Sequence, residues 1–283
     1  MAMPTTSAKK LRFVDDTDDM GDFPLRPGLN WRARKESEIY RTIARGTMLV
    51  SGERGSGKDL FGVSTDYLQK YYFNRPILLD FLPKRAFGPY SLFDANIMMR
   101  EIRKMAKKTG VEGIEGGADQ NEYEEWVGEA TRDWALEGEG YDLLRNAVLH
   151  LSELKRYCPK REPHRKVNKF VGALNTVVRH LDMLIIGTHV FENEIDRFTF
   201  MQYANIRAHC EWLMTRPHTT RVSITMTSII GASDSYTGFV GRLPPLDIDG
   251  KAPREFLEGK CFFDLWRSKN YVNLIPVASK EVK

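Results

Sequence analysis

The chain has 283 residues, 42% hydrophobic and 28% charged, enough to bury a sizeable core and too apolar for an overall disordered polymer. A net charge of +4 admits a polyanionic partner without demanding one, and three distant cysteines (Cys158, Cys210, Cys261) argue against a disulfide framework or a close-spaced zinc site. With no apolar run of bilayer length and no signal-peptide core in MAMPTTSAKKLRF, the reading is a soluble protein of a reducing, cytoplasmic compartment.

Residues 1–30 are acidic and rich in Pro and Gly, which suits a flexible arm. Residues 31–283 are read as a single domain. It opens with WRARKESEIYRTIA, whose Trp31, Ile39 and Ile43 fall at helical spacing, and continues into a short strand at Thr47–Ser51. After a glycine-rich turn, DLFGVSTDYLQKYYF sets Leu60, Val63, Tyr67, Leu68 and Tyr71 at three- and four-residue intervals, which predicts an amphipathic helix. RPILLDF then reads as an apolar strand. Strand, turn, helix and strand in this order make a βαβ unit of a parallel sheet.

Further on, FDANIMMREIRKMAKK reads as a helix and TGVEGIEGGADQ as a mobile loop. NEYEEWVGEATRDWALEG places Tyr123, Trp126, Val127, Ala130 and Trp134 on one face, predicting a helix that packs on the core rather than an aromatic ligand platform. LLRNAVLHLSEL is a buried strand, KVNKFVGALNTVVRHL a helix, DMLIIGTH a strand and NEIDRFTFMQYA a short helix. From about residue 205 the pattern turns β-rich, in NIRAHCEWLM, TRVSITMTSII and CFFDLW, predicting antiparallel strands that extend the sheet or close an edge. The fold class is therefore α/β, with a mostly parallel central sheet flanked by helices and extended by C-terminal antiparallel strands.

The glycine-rich turn is GERGSGKD, Gly52 to Asp59. In G-x-x-x-x-G-K-[ST], glycines let successive backbone N–H groups face a phosphate, the lysine neutralises β- and γ-oxygens, and a helix begins at the phosphate. Gly52, Gly55, Gly57 and Lys58 fit, with Glu53, Arg54, Ser56 and Leu60 completing the expected nucleotide-binding stretch. Asp59 stands where the pattern has the Ser or Thr that meets Mg²⁺. A second metal ligand is expected at the end of a later apolar strand, as an Asp followed by a water-activating Glu. AVLHLSEL ends in Ser152 and Glu153, so carboxylate and hydroxyl stand exchanged between the two positions. A reciprocal swap would preserve the charge at the ion, with Asp59 and Ser152 as metal ligands; the alternative is two independent losses in a degenerate ATPase.

At the end of the next strand, Thr188 and His189 are placed to sense a γ-phosphate or position water, or simply to form a solvated turn. Arg54 within the loop, or Arg179, Arg197 or Arg216 across a subunit boundary, could supply positive charge opposite the water. The expected catalytic set is Lys58, Glu153, His189 and Arg54. In KRYCPKREPHRKVNK, Lys155, Arg156, Lys160, Arg161, Arg165, Lys166 and Lys169 face one acidic residue, Glu162. Such a segment is suited to tracking the phosphates of double-stranded DNA, and equally to a solvated loop or a subunit contact.

LVSGERGSGKD, AVLHLSEL, VVRHLDMLIIGTH and EIDRF, taken in order, resemble the FtsK/HerA-type ATPases, and among them the zonular-occludens-toxin-like and viral genome-packaging members. The resemblance spans roughly Thr47 to Ile275 and departs from the family pattern at Asp59, at Ser152 and at His189, where a Gln sensor is expected. It implies an ATP- and Mg-dependent homo-oligomeric ring that translocates DNA in the cytoplasm or a virion, with a portal, capsid or membrane partner for the N-terminal arm. A P-loop protein holding ATP as a structural or regulatory ligand is the other reading, and a small-molecule kinase a third.

Overall fold

A computed structural model of the chain describes residues 24–25, 27–28, 31–83, 87, 89–108, 120–163, 165–212, 220–227 and 233–240. Most of the N-terminal arm, the glycine-rich stretch at 109–119, Arg216 and the CFFDLW segment lie outside the described residues. The helices are α1 (Trp31–Thr42), α2 (Lys58–Phe73), α3 (Ala95–Lys108), α4 (Gln120–Leu136), α5 (Gly140–Leu144) and α6 (Lys166–Val177). The strands are β1 (Gly46–Ser51), β2 (Ile77–Leu79), β3 (Ser91–Leu92), β4 (Val148–Leu151), β5 (Leu184–His189), β6 (Ile206–Trp212), β7 (Thr220–Thr227) and β8 (Ser233–Val240).

The eight strands form one sheet in the order β3-β2-β4-β5-β1-β6-β7-β8. The first six in that order run parallel, while β7 pairs antiparallel with β6 and β8 antiparallel with β7. This is the α/β class expected from sequence, with the late strands extending the sheet. The two strands of the predicted βαβ unit are not neighbours: β4 and β5 lie between β1 and β2. Crossover through α2 thus leaves room for two later strands, and β5 is placed between the strand before the phosphate loop and the strand ending in Ser152.

Side-chain alternation divides the core into two layers. Met48, Val50, Val148, Leu184 and Ile186 pack with Leu60, Val63, Leu68 and Tyr72 of α2. Their neighbours Leu49, Leu149, Leu151 and Ile185 pack on the opposite face with Trp134 of α4 and Phe170 and Leu174 of α6. Val127 and Trp134 are buried and Trp126 and Ala130 partly so, as a core-packing α4 requires.

Helix α2 departs from the amphipathic expectation. Besides its apolar positions, Ser64, Thr65, Asp66 and Gln69 are buried, while Tyr67 and Tyr71 are only half-buried. The reason is its place in the sheet: α2 spans the middle strands and contacts β1, β4, β5, β6 and β8. It ends at Asn74 in the left-handed conformation, φ 52°, whose N–H closes the last turn on the Lys70 carbonyl at 2.9 Å.

Candidate nucleotide site

The turn between β1 and α2 is shaped by backbone rather than by side chains. Gly57 precedes α2 at φ 88°, ψ 14°, a conformation that L side chains rarely adopt, and a Cβ there would collide with Thr220 of β7. Thr220 Oγ1 donates to the Ser56 carbonyl at 2.9 Å, so β7 braces the loop from the side. Ser56 N–H closes on the Glu53 carbonyl at 3.1 Å, and Glu53, Arg54 and Gly55 are exposed at the tip. The first-turn N–H groups of α2, from Lys58 to Leu60, have no acceptor within the helix and face the same end of the sheet. With the helix dipole behind them they form an anion seat.

Lys58 is almost fully buried, its Nζ 3.6 Å from Asp59 Oδ2. The other Asp59 oxygen accepts from Thr188 Oγ1 at 3.0 Å, and Thr188 Oγ1 accepts from the Glu153 N–H at 3.3 Å. Asp59, Thr188 and Glu153 from α2, β5 and the end of β4 are therefore joined by one hydroxyl. That junction follows from the strand order, since β5 is the strand between β1 and β4. Glu153 has φ 50°, ψ 69°, a left-handed backbone for a non-glycine residue, and its side chain is exposed at the C-terminal end of the strands.

Among the polar pair at the end of β5, Thr188 makes the contacts to Asp59 and Glu153. His189 is buried and directed to Glu194, Nε2 to Oε2 3.6 Å, while Glu194 also meets Lys155 Nζ at 3.0 Å. Burial holds the His189 pKa below the ordinary value despite the pull of Glu194, so the imidazole is neutral at pH 7.

Beneath the loop lies a polar layer that the sequence reading missed. His150, within β4, and Asp66, within α2, are fully buried with Nδ1 and Oδ2 2.6 Å apart. Gly62 makes room for this pair: a Cβ there would stand 2.5 Å from His150 Cε1. Burial alone would pull His150 down, but the charge and hydrogen bond of Asp66, with Asp80 and Asp59 behind, lift its pKa above the ordinary value. Burial likewise raises Asp66 against the opposing influence of His150. Asp80, at the end of β2, accepts from the Ser152 N–H at 2.9 Å and from the Tyr157 hydroxyl at 2.8 Å. Burial raises its pKa, and the two hydrogen bonds pull it back. The signal available in sequence was His150 interrupting an otherwise apolar run.

Three buried polar atoms at this end of the sheet, Ser56 Oγ, Ser152 Oγ and His189 Nε2, have no hydrogen-bond partner among the described residues. Ser56 lies within the phosphate loop and Ser152 at the strand end expected to face a metal, so each offers a spare hydroxyl toward that end of the sheet. The residues present therefore fit a magnesium nucleotide. Among the described residues no group of three or more His, Cys, Asp or Glu side chains could hold a metal ion by itself.

The basic segment is not a free loop. Leu154–Arg156 form a 3₁₀ turn, Tyr157, Cys158 and Pro159 are buried, and Pro159 bridges to Ile195 of the β5–β6 connection. Lys155 pairs with Glu194 and Arg165 with Glu162, while Lys160 and Arg161 are exposed. Of the candidate arginines, Arg54, Arg179 and Arg197 are all exposed. Cys158 and Cys210 are free buried thiols, and burial pushes Cys210 up to about 12. No helix among the described residues is long and apolar enough to cross a membrane.

The sheet, the loop between β1 and α2 and the lysine at its end make this an α/β protein of the P-loop NTPase fold. No protein-family model matches the chain. No curated protein matches it in sequence. Among solved structures it is similar to the N-terminal domain of zonular occludens toxin from Neisseria meningitidis, at 16% identity over 79% of this chain and 100% of that chain, TM-score 0.44. It is also similar to a DnaB-like replicative helicase whose structure describes its interactions with primase, at 11% identity over 73% of this chain and 58% of that chain, TM-score 0.41.

Proposed function

We propose that the protein is an ATP-hydrolysing nucleic-acid motor, with double-stranded DNA as the polymer and translocation or genome packaging as the task. The observation that carries the reading is the Thr188 hydroxyl joining Asp59 at the start of α2 to the Glu153 N–H at the end of β4. It couples the phosphate loop to the acidic residue expected to activate water.

In this reading Gly52 to Leu60 cradle the phosphates through backbone N–H groups, and Lys58 turns from Asp59 to the β- and γ-oxygens. Asp59 and Ser152 would hold Mg²⁺, which when bound would supply positive charge against the phosphates. Glu153 accepts the proton of the attacking water, while neutral His189 and exposed Arg54 orient and neutralise around it. Asp59 supplies the anion and Ser152 the hydroxyl, the exchange expected from sequence.

Contact with nucleic acid is supported by position and charge. The segment from Lys155 to Lys169 is tied to the strand bearing His189 through Glu194. Beside it, Lys160, Arg197, Phe198 and Arg207 are among the residues lining a cleft of about 810 Å³. Phe198 is 75% exposed on a turn capped by Asp196, whose Oδ1 accepts from the N–H groups of Phe198 and Thr199 at 2.8 and 2.9 Å. A fixed, exposed aromatic ring among cations is suited to bases and phosphates. The working form is a homo-oligomeric ring in the host cytoplasm or virion, with residues 1–30 docking a portal, capsid or membrane partner.

The test is steady-state ATP turnover with and without duplex DNA. DNA-stimulated, Mg²⁺-dependent hydrolysis is expected, with Asp59→Ala and Ser152→Ala each lowering it at least tenfold. Turnover untouched by both variants refutes the exchange, and nucleotide binding with no turnover leaves ATP as a structural or regulatory ligand. Neutralising Lys160 and Arg161 should make the salt dependence of DNA affinity shallower by about two counterions.

A further inference from the structure

Strand β4 is followed directly by Ser152, so the carboxylate that such a strand end is expected to present to a metal nucleotide is absent from that position. A carboxylate is nevertheless present there, contributed by the adjacent strand. Leu79 pairs with His150 in the β2–β4 ladder, and the Asp80 N–H meets the His150 carbonyl at 3.3 Å. The next rung is made by a side chain: Ser152 N–H donates to Asp80 Oδ1 at 2.9 Å. Asp80 therefore lies against the residue whose charge is missing.

Asp80 is 1% exposed, and among the described residues no lysine or arginine pairs with it; its direct hydrogen-bond donors, the Ser152 N–H and the Tyr157 hydroxyl, are neutral, and the positive influence on it comes from His150, which is already hydrogen-bonded to Asp66. Removing a carboxylate from water costs several kcal/mol unless a cation or a full set of donors compensates. Alongside it, Ser152 Oγ is buried with no hydrogen-bond partner among the described residues, and it lies near enough to influence the carboxylate. A buried carboxylate with no lysine or arginine beside it and a buried hydroxyl with no hydrogen-bond partner among the described residues thus stand side by side at the end of the sheet that holds the phosphate loop.

We infer that Asp80 supplies the negative charge for the metal nucleotide that β4 itself lacks, acting as an outer carboxylate through the Ser152 hydroxyl. Asp80 is a positioning residue: Ser152 meets the ion, and Asp80 orients and polarises that hydroxyl while holding the turn into Glu153. The inference rests on the proposed nucleotide site but not on hydrolysis. It brings a carboxylate to the strand end from a neighbouring strand, in addition to Asp59 from the helix.

The test measures the affinity of a fluorescent ATP analogue with and without Mg²⁺ and takes the ratio as the magnesium enhancement. Asp80→Asn keeps the size of the side chain and an acceptor for the Ser152 N–H. It should lower the enhancement about tenfold and leave magnesium-free affinity within twofold. Tyr157→Phe, which keeps the charge, should stay within threefold of wild type. Ser152→Ala should lower the enhancement, and Asp80→Asn combined with Ser152→Ala should lose little more than the greater single loss. Should Asp80→Asn fail to fold, Ser152→Ala carries the test, because retained enhancement in that variant removes the hydroxyl route. Full enhancement in Asp80→Asn, equal losses with and without Mg²⁺, or multiplicative losses in the double variant each overturn the inference. If the wild-type protein binds no nucleotide, the nucleotide site falls and this inference with it. Enhancement lost in Asp80→Asn without any turnover leaves the inference standing and removes the motor.

Discussion

At one end of the parallel strands a buried arginine meets an acceptor with each of its five N–H bonds, while at the other end three buried polar atoms meet none. Arg75, just before β2, donates through Nε to the Asn146 carbonyl, through one amino group to the Ala44 carbonyl and Gln69 Oε1, and through the other to the Ala147 and Asp182 carbonyls. Those carbonyls immediately precede β1, β4 and β5, so a single side chain ties together the entries of the strands that carry the site. Burial pulls its pKa down to about 9, which leaves it charged at neutral pH. Ser56, Ser152 and His189 stand at the exits of the same strands with unsatisfied atoms. A saturated end fixes the frame, and an unsaturated end is what a ligand could complete.

The largest effect that would break this contrast belongs to Arg75. Arg75→Met should cost about 3 to 5 kcal/mol of stability, because it leaves four strand-entry carbonyls and Gln69 without their donor in the core. Denaturant unfolding measures it. Per folded molecule, nucleotide affinity should be unchanged, since the defect lies at the far end of the strands. A loss near zero would mean that water enters and satisfies those carbonyls, and the two ends would then differ less than the contacts suggest.

The Asp66–His150 pair is intermediate, satisfied on one side and open on the other: Asp66 Oδ1 and His150 Nε2 have no partner among the described residues. Both pKa values are raised, so the folded state holds protons that the unfolded chain releases earlier. Stability from His150 is therefore fully present below its unfolded value near 6.5 and is lost as pH rises through the higher folded value. The raised Asp66 acts in the same direction. Urea midpoints should fall as pH rises above about 6.5, and the combined variant Asp66→Asn with His150→Gln should flatten that slope. A slope of equal size in the variant would assign the pH dependence elsewhere. His189, lowered by burial, works the opposite way, removing stability only as pH falls below about 6.5, so the two histidines are separable in one titration.

The legible parts of this fold were those written in local pattern. β1, the phosphate turn and α2 announce themselves through an apolar run, glycines at fixed offsets and a lysine, β4 through the Val and Leu around His150, and β5 through Leu184, Ile185 and Ile186. β8 was not foreseen because SDSYTGFV carries few apolar residues and relies on β7 for its place. β3, two exposed residues long, is likewise defined by pairing alone. At the site, Lys58, Asp59, Ser152 and Glu153 could be named from spacing, and Thr188 from its strand end. Asp80, Tyr157, Asp66 and Arg75 could not, because nothing local tells a buried charge from an exposed one; each becomes meaningful only when strands far apart in sequence are adjacent. His150 was visible as a polar break in an apolar run, but its partner was 84 residues away.

The smallest expected effect is the sharpest test of the unsaturated end. Ser56 Oγ is buried and has no partner among the described residues, so removing it should relieve a desolvation cost in the free protein. Ser56→Ala should raise stability by about 0.5 to 1 kcal/mol, against the usual direction of a buried substitution. Simultaneously, the affinity for ATP with Mg²⁺ should fall severalfold if that hydroxyl is held in reserve for a phosphate oxygen. The opposed signs are the point: a stabilised protein that binds less well identifies a group kept unsatisfied for a ligand. A destabilised protein with unchanged affinity would show that Ser56 is packing against its own loop, leaving Ser152 and His189 to support the difference between the two ends.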